Sequence, residues 1–133
     1  MAKFWLIVFV VFITLGVITG ILIISKEPTT GVHYTNTYTN ITTPEAKQLI
    51  KSTSNLSIVD VRGLEGCSSC QFKRGHLPGA VMYENPEEFY NTTNDILVYS
   101  VDGTKGCWFC GQLMGQVFGN VYNLEGGWND WKS

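Results

Sequence analysis

The stretch from Ile96 to Gly111, ILVYSVDGTKGCWFCG, constrains the fold of this 133-residue chain more than any other. Ile96, Leu97, Val98 and Tyr99 form a short apolar run rich in β-formers, of the length of a buried strand. The run breaks into a loop, Ser100 to Gly106, in which Gly103 and Gly106 make positive φ cheap. From Cys107 onward, Trp108, Phe109, Gln112, Leu113, Met114 and Val117 fit a helical reading. A strand, a glycine-containing loop and a helix start together make an anion cradle, because the first backbone N–H groups of a helix lack internal partners. Cys107 and Cys110 are expected in the first turn of that helix, where the chemistry would sit.

The net charge of −2 gives no excess of positive charge to draw nucleic acid. The four cysteines fall into two C-x-x-C pairs, Cys67/Cys70 and Cys107/Cys110, a pattern of metal, disulfide or redox use.

The N-terminus reads as a membrane anchor. Phe4 to Ile24 is a run of 21 residues without a charge, and as a helix it would span about 31 Å, close to the hydrocarbon thickness of a bilayer. A cleaved signal peptide has a shorter apolar region, of about 7–15 residues, and an A-x-A-like site, which does not stand out here. Lys3 before the run, against Lys26 and Glu27 after it, favours a cytoplasmic N-terminus and a domain outside the cytoplasm. Gly16 and Gly20 form a G-x-x-x-G, a pattern that lets such helices approach closely. The organisation expected is an anchor over residues 1–26, a Thr/Asn-rich linker over 27–42 and one domain over 43–133.

Pro28 to Thr42 has no apolar periodicity and reads as an extended tether, with His33 solvated. Asn40-Ile41-Thr42, Asn55-Leu56-Ser57 and Asn91-Thr92-Thr93 match the N-glycosylation pattern, which has meaning only in an external compartment. Thr43-Pro44-Glu45 reads as a helix start, with a capping Thr, then Pro, then an acid. Leu56 to Arg62 follows as a β-branched strand. Helix and strand in alternation predict a parallel or mostly parallel α/β sheet.

Four motifs in order resemble the rhodanese homology domain: Asp60-Val61-Arg62, then Gly75-His76-Leu77-Pro78-Gly79-Ala80, then Val98-Tyr99 with its glycine-containing loop, then Val121 to Trp128 with Trp131. The resemblance covers about residues 43–133. It implies an α/β domain with a mostly parallel five-stranded sheet flanked by helices, and an active-site loop at the carboxyl end of Ile96–Tyr99. Read from the residues alone, the motifs have structural roles: Pro78-Gly79 a turn, His76 a bond to turn backbone, Asp60 and Arg62 pairing with loops, and Trp128 and Trp131 a cover for the core.

Departures from the family bear on function. The family places a catalytic, persulfide-carrying cysteine directly after the Val-Tyr strand end; here that position is Ser100, which cannot hold a persulfide sulfur. Lys105 falls where the family commonly has an anion-binding Arg. The segment between Arg62 and Gly75 is also longer than usual and contains Cys67 and Cys70, so both C-x-x-C pairs could share the rim of the active-site loop. Three readings of the cysteines stay open. Cys67, Cys70, Cys107 and Cys110 bind one zinc ion tetrahedrally, in a module serving partner or anion binding through Gly103, Lys105 and Gly106. Alternatively, each pair cycles between dithiol and disulfide: Cys107 is a nucleophile of lowered pKa, Cys110 resolves, Cys67 and Cys70 relay electrons or sulfur, and a protein disulfide or sulfur carrier is the substrate. In the third reading, the pairs are structural disulfides.

Overall fold

The computed structural model describes residues 33–83 and 85–133. The apolar run Phe4–Ile24, its Gly16/Gly20 pair and the first part of the tether lie outside the described residues. Among the described residues, no helix is long and apolar enough to cross a membrane.

Five parallel strands form one sheet: β1 (Tyr38–Ile41), β2 (Leu56–Asp60), β3 (Ala80–Met82), β4 (Asp95–Tyr99) and β5 (Val121–Leu124), in the order β1-β5-β4-β2-β3. Among the described residues, four helices accompany them: α1 (Thr43–Ser52), α2 (Ser68–Lys73), α3 (Thr104–Leu113) and α4 (Gly127–Trp131). Single 3₁₀ turns occupy Arg62–Glu65 and Pro86–Phe89.

The unbroken apolar run of β4 follows from its central place. Ile96 to Tyr99 are all fully buried, because helices cover both faces of a parallel sheet. Alternate residues serve opposite faces. Ile96 and Val98 join Val59 and Val121 under Phe109, Cys110 and Leu113 of α3. Leu97 and Tyr99 join Ile58, Ile41 and Leu124 under Ala46 of α1, with Leu77 and the partly buried Trp128 and Trp131. Each fully buried aliphatic side chain contributes about 1.5–3 kcal/mol.

Two local expectations shift. Residues 34–42 are part of the domain, although this segment reads as tether: β1 pairs along its length with β5, Tyr34 stacks on Phe118 at 4.3 Å, and the Thr35 N–H donates to Val117 O at 2.7 Å. Helix α1 is capped one residue earlier than expected, with Glu45 accepting hydrogen bonds from the Thr42 N–H and hydroxyl at 2.7 and 2.6 Å.

Candidate functional site

In a parallel sheet all strands point their carboxyl ends to one rim, so the segments after β2, β4 and β5 gather there. The family motifs meet at that rim in one buried network. Asp60 accepts from Arg62 Nε at 2.9 Å and Nη2 at 2.6 Å, and from the Tyr99 hydroxyl at 2.6 Å. Arg62 Nη2 also donates to Gly75 O at 2.7 Å, and the guanidinium lies 4.6 Å from the Trp128 ring centre. Burial pushes the Tyr99 phenol well above its ordinary pKa, and the Asp60 carboxylate adds to that. His76 is exposed, stacks on Phe72 at 3.9 Å and places Nδ1 3.0 Å from Phe72 O, a backbone partner as expected.

The loop after β4 is shorter and tighter than the sequence suggests. Helix α3 begins at Thr104, whose N–H donates to Asp102 Oδ1 at 3.0 Å, and the Cys107 N–H already bonds Gly103 O at 2.9 Å. Cys107 and Cys110 therefore lie beyond the unpartnered N–H groups of the helix start. Ser100 has no solvent exposure, and its Oγ accepts from the Gly103 N–H at 3.0 Å, so the loop closes on its own serine. The first turn of α4 clamps it from outside, with Trp128 N–H donating to Ser100 O at 2.8 Å and Asn129 N–H to Val101 O at 3.0 Å. Gly103 has φ +90°, and a Cβ there would lie 1.9 Å from Glu125 O. A Cβ on Gly106 would lie 2.3 Å from Asn123 Oδ1, a buried atom without a hydrogen-bond partner among the described residues. Gly103 and Gly106 thus serve close packing against the β5 strand and turn, while Lys105 projects as an exposed side chain on α3.

The four cysteines divide into two states. Cys67 and Cys70 form a disulfide, and both are exposed at the start of α2. Cys107 and Cys110 are free thiols. Cys107 is half-buried with its sulfur 2.6 Å from the Tyr38 hydroxyl. Cys110 is fully buried in the core, with Sγ 3.7 Å from Tyr122 O, and burial followed by the proximity of Cys107 pushes its thiol pKa far up. The expected four-thiolate zinc site is not assembled. Two of its sulfurs are bonded to each other and a third faces the sheet, and among the described residues no group of three or more His, Cys, Asp or Glu could hold a metal ion.

What the rim does present is a cleft of about 650 Å³ between α2 and the C-terminal helix. Arg62, Gln71 and Arg74 line one side, and Trp128, Asn129 and Lys132 the other, with Val101 of the loop at its edge. Among the described residues, no carboxylate lines it. Arg62 is already matched by Asp60, so its pull on anions comes from Arg74 and Lys132, both exposed. Sequence reading missed Gln71, Arg74 and Lys132. Each looks like an ordinary solvated polar residue, and the only signal was that Arg74 adjoins the Gly75-His76 motif and Lys132 adjoins Trp131.

Comparison with solved structures gives the same architecture. A crystal structure of a protein from Staphylococcus saprophyticus is 24% identical with a TM-score of 0.57, covering 70% of this chain and 92% of the other. A protein of unknown function from Rhodopseudomonas palustris, described as a possible tyrosine phosphatase, is 21% identical with a TM-score of 0.54, over 71% of this chain and 80% of its own. A rhodanese-like domain protein from Staphylococcus aureus is 21% identical, with a TM-score of 0.48 over 70% and 90% of the two chains. Among curated proteins no sequence matches. Residues 42–133 match the family described as Rhodanese-like domain. The ordered motifs, their convergence on one buried network and this match agree, and the chain belongs to the rhodanese-like domain family.

Proposed function

We propose that this rhodanese-like domain binds an anionic ligand in the basic cleft and does not transfer sulfur through its β4 loop. The observation that carries this reading is the pairing of a cleft flanked by Arg74 and Lys132, with no carboxylate among the described residues that line it, and a loop closed around a fully buried Ser100. A hydroxyl without an adjacent base is a weak nucleophile, and one enclosed by its own loop meets no substrate. The Phe4–Ile24 run would hold the domain at a membrane, with the cleft outside the cytoplasm. A dithiol enzyme built on Cys107 and Cys110 draws less support. Its resolving thiol would be Cys110, which is packed in the core and held in the protonated form.

Calorimetric titration with thiosulfate and sulfate at low ionic strength tests the reading. Saturable binding that weakens about tenfold or more in Arg74→Ala/Lys132→Ala is expected, the loss of about 1.4 kcal/mol typical of a charge-assisted contact. Binding unchanged in that variant, or no binding at all, would overturn it.

A further inference from the structure

The Cys67–Cys70 disulfide is left without a role by anion binding. It closes a ring with only Ser68 and Ser69 between its ends. A bridge constrains the unfolded chain in proportion to the logarithm of the loop it closes, so this one adds little as a staple. Its segment is also held by other means: Phe72 packs on the core, the Arg62 guanidinium binds Gly75 O, and Leu77 is fully buried. Both sulfur-bearing residues are nonetheless exposed. The Cys70 N–H donates to Cys67 Sγ at 3.3 Å, which places a backbone donor where thiolate charge would develop on Cys67. Cys67, Cys70, Gln71 and Arg74 stand at helical spacings of three and four, so one stripe of α2 runs from the bridge into the basic cleft.

We propose that Cys67–Cys70 is a two-electron thiol–disulfide exchange centre for a protein dithiol flanked by acidic side chains, which the cleft positions. The acidic character of the partner rests on the anion-binding reading of the cleft; the exchange chemistry does not. A partner thiolate attacks Cys67 Sγ, the Cys67–Cys70 bond breaks, and Cys70 leaves as a thiolate that takes up a proton. The second partner thiol, deprotonated, attacks its neighbour's sulfur in the mixed disulfide and displaces the Cys67 thiolate, which receives the Cys70 N–H and then a proton. The partner dithiol is oxidised to a disulfide by two electrons and the bridge is reduced by two. The reverse sequence with an oxidised partner restores it.

The test uses the full chain and two synthetic dithiol peptides, one with acidic and one with basic flanks, followed by alkylation and mass mapping of Cys67 and Cys70. At low ionic strength the acidic peptide is expected to reduce the bridge about tenfold faster than the basic one. That preference should be lost with added salt and in Arg74→Glu/Lys132→Glu. With the oxidised acidic peptide, Cys70→Ser should accumulate a mixed disulfide at Cys67, and Cys67→Ser should not at Cys70. A bridge that neither peptide reduces while the protein stays folded, or equal rates for the two peptides, would overturn the proposal. Thiosulfate and sulfate titration of Cys67→Ser/Cys70→Ser separates the two readings, since binding there stands or falls without the bridge. Circular dichroism of each variant reports whether it is folded.

Discussion

Asp60 and Arg62 face each other with almost no solvent exposure, so each charge depends on the other rather than on water. Tyr99 adds a donor to the carboxylate and Gly75 an acceptor to the guanidinium, which leaves the pair well satisfied. Removing one partner strands the other. Asp60→Asn is expected to cost about 3–5 kcal/mol, the range for breaking a buried pair, read as a fall in the denaturant midpoint at constant slope. A loss within about 0.5 kcal/mol, typical of a surface site, would mean the pair is hydrated. The sequence marks both residues as motif members and expects loop partners for them; Arg62 has one in Gly75 O, whereas Asp60 is met by Arg62 and by Tyr99 of β4, which nothing in the spacing brings to it. Ser100 is the opposite case: its identity is legible and its enclosure is not, since burial depends on the first turn of α4. Ser100→Cys is therefore expected to show no thiosulfate-to-cyanide sulfur transfer. Its introduced thiol should be alkylated about a hundredfold more slowly than an exposed one, at the rate of local opening. Rapid alkylation would show the loop to be open.

At the level of elements, β1 is what the sequence conceals. Tyr38-Thr39-Asn40-Ile41 has no apolar alternation, because an edge strand whose partner in the sheet is β5 buries Ile41 and leaves Thr39 and Asn40 exposed. Its strand character comes from pairing with residues some eighty positions later, which no local pattern encodes. By contrast, β4 is legible at once, since a central parallel strand buried on both faces needs an unbroken apolar run. The start of α3 misleads for a local reason. Asp102 and Gly103 initiate the helix before the apolar residues begin, so the periodic signal lags the true end by three residues. Ile41→Ala discriminates between tether and strand. As a strand residue at 7% exposure it should cost about 2–5 kcal/mol, whereas a tether position would change stability by less than about 0.5 kcal/mol.

For the whole domain, burial of weak acids in their protonated form fixes the response to alkali. Cys110 and Tyr99 are both without exposure, on opposite faces of the sheet, and both have pKa values pushed far up, chiefly by burial. Unfolding releases them to ordinary values of 9.0 and 10.0. Below those values both states hold the protons and the groups contribute their full stabilisation. Above them the unfolded chain sheds protons that the folded one retains, so stability falls as pH rises, by about 1.4 kcal/mol per pH unit for each group. A phenolate at Tyr99 would also stand against the Asp60 carboxylate, which blocks ionisation without loss of the network. Of the six tyrosines, Tyr99 should therefore ionise only as the fold is lost. Parallel titrations of phenolate absorbance and circular dichroism above pH 10 would show the last phenolate appearing together with unfolding. Complete ionisation of all six while the dichroism stays native would mean that Tyr99 reaches water in the folded state, and with it the motif network at the rim.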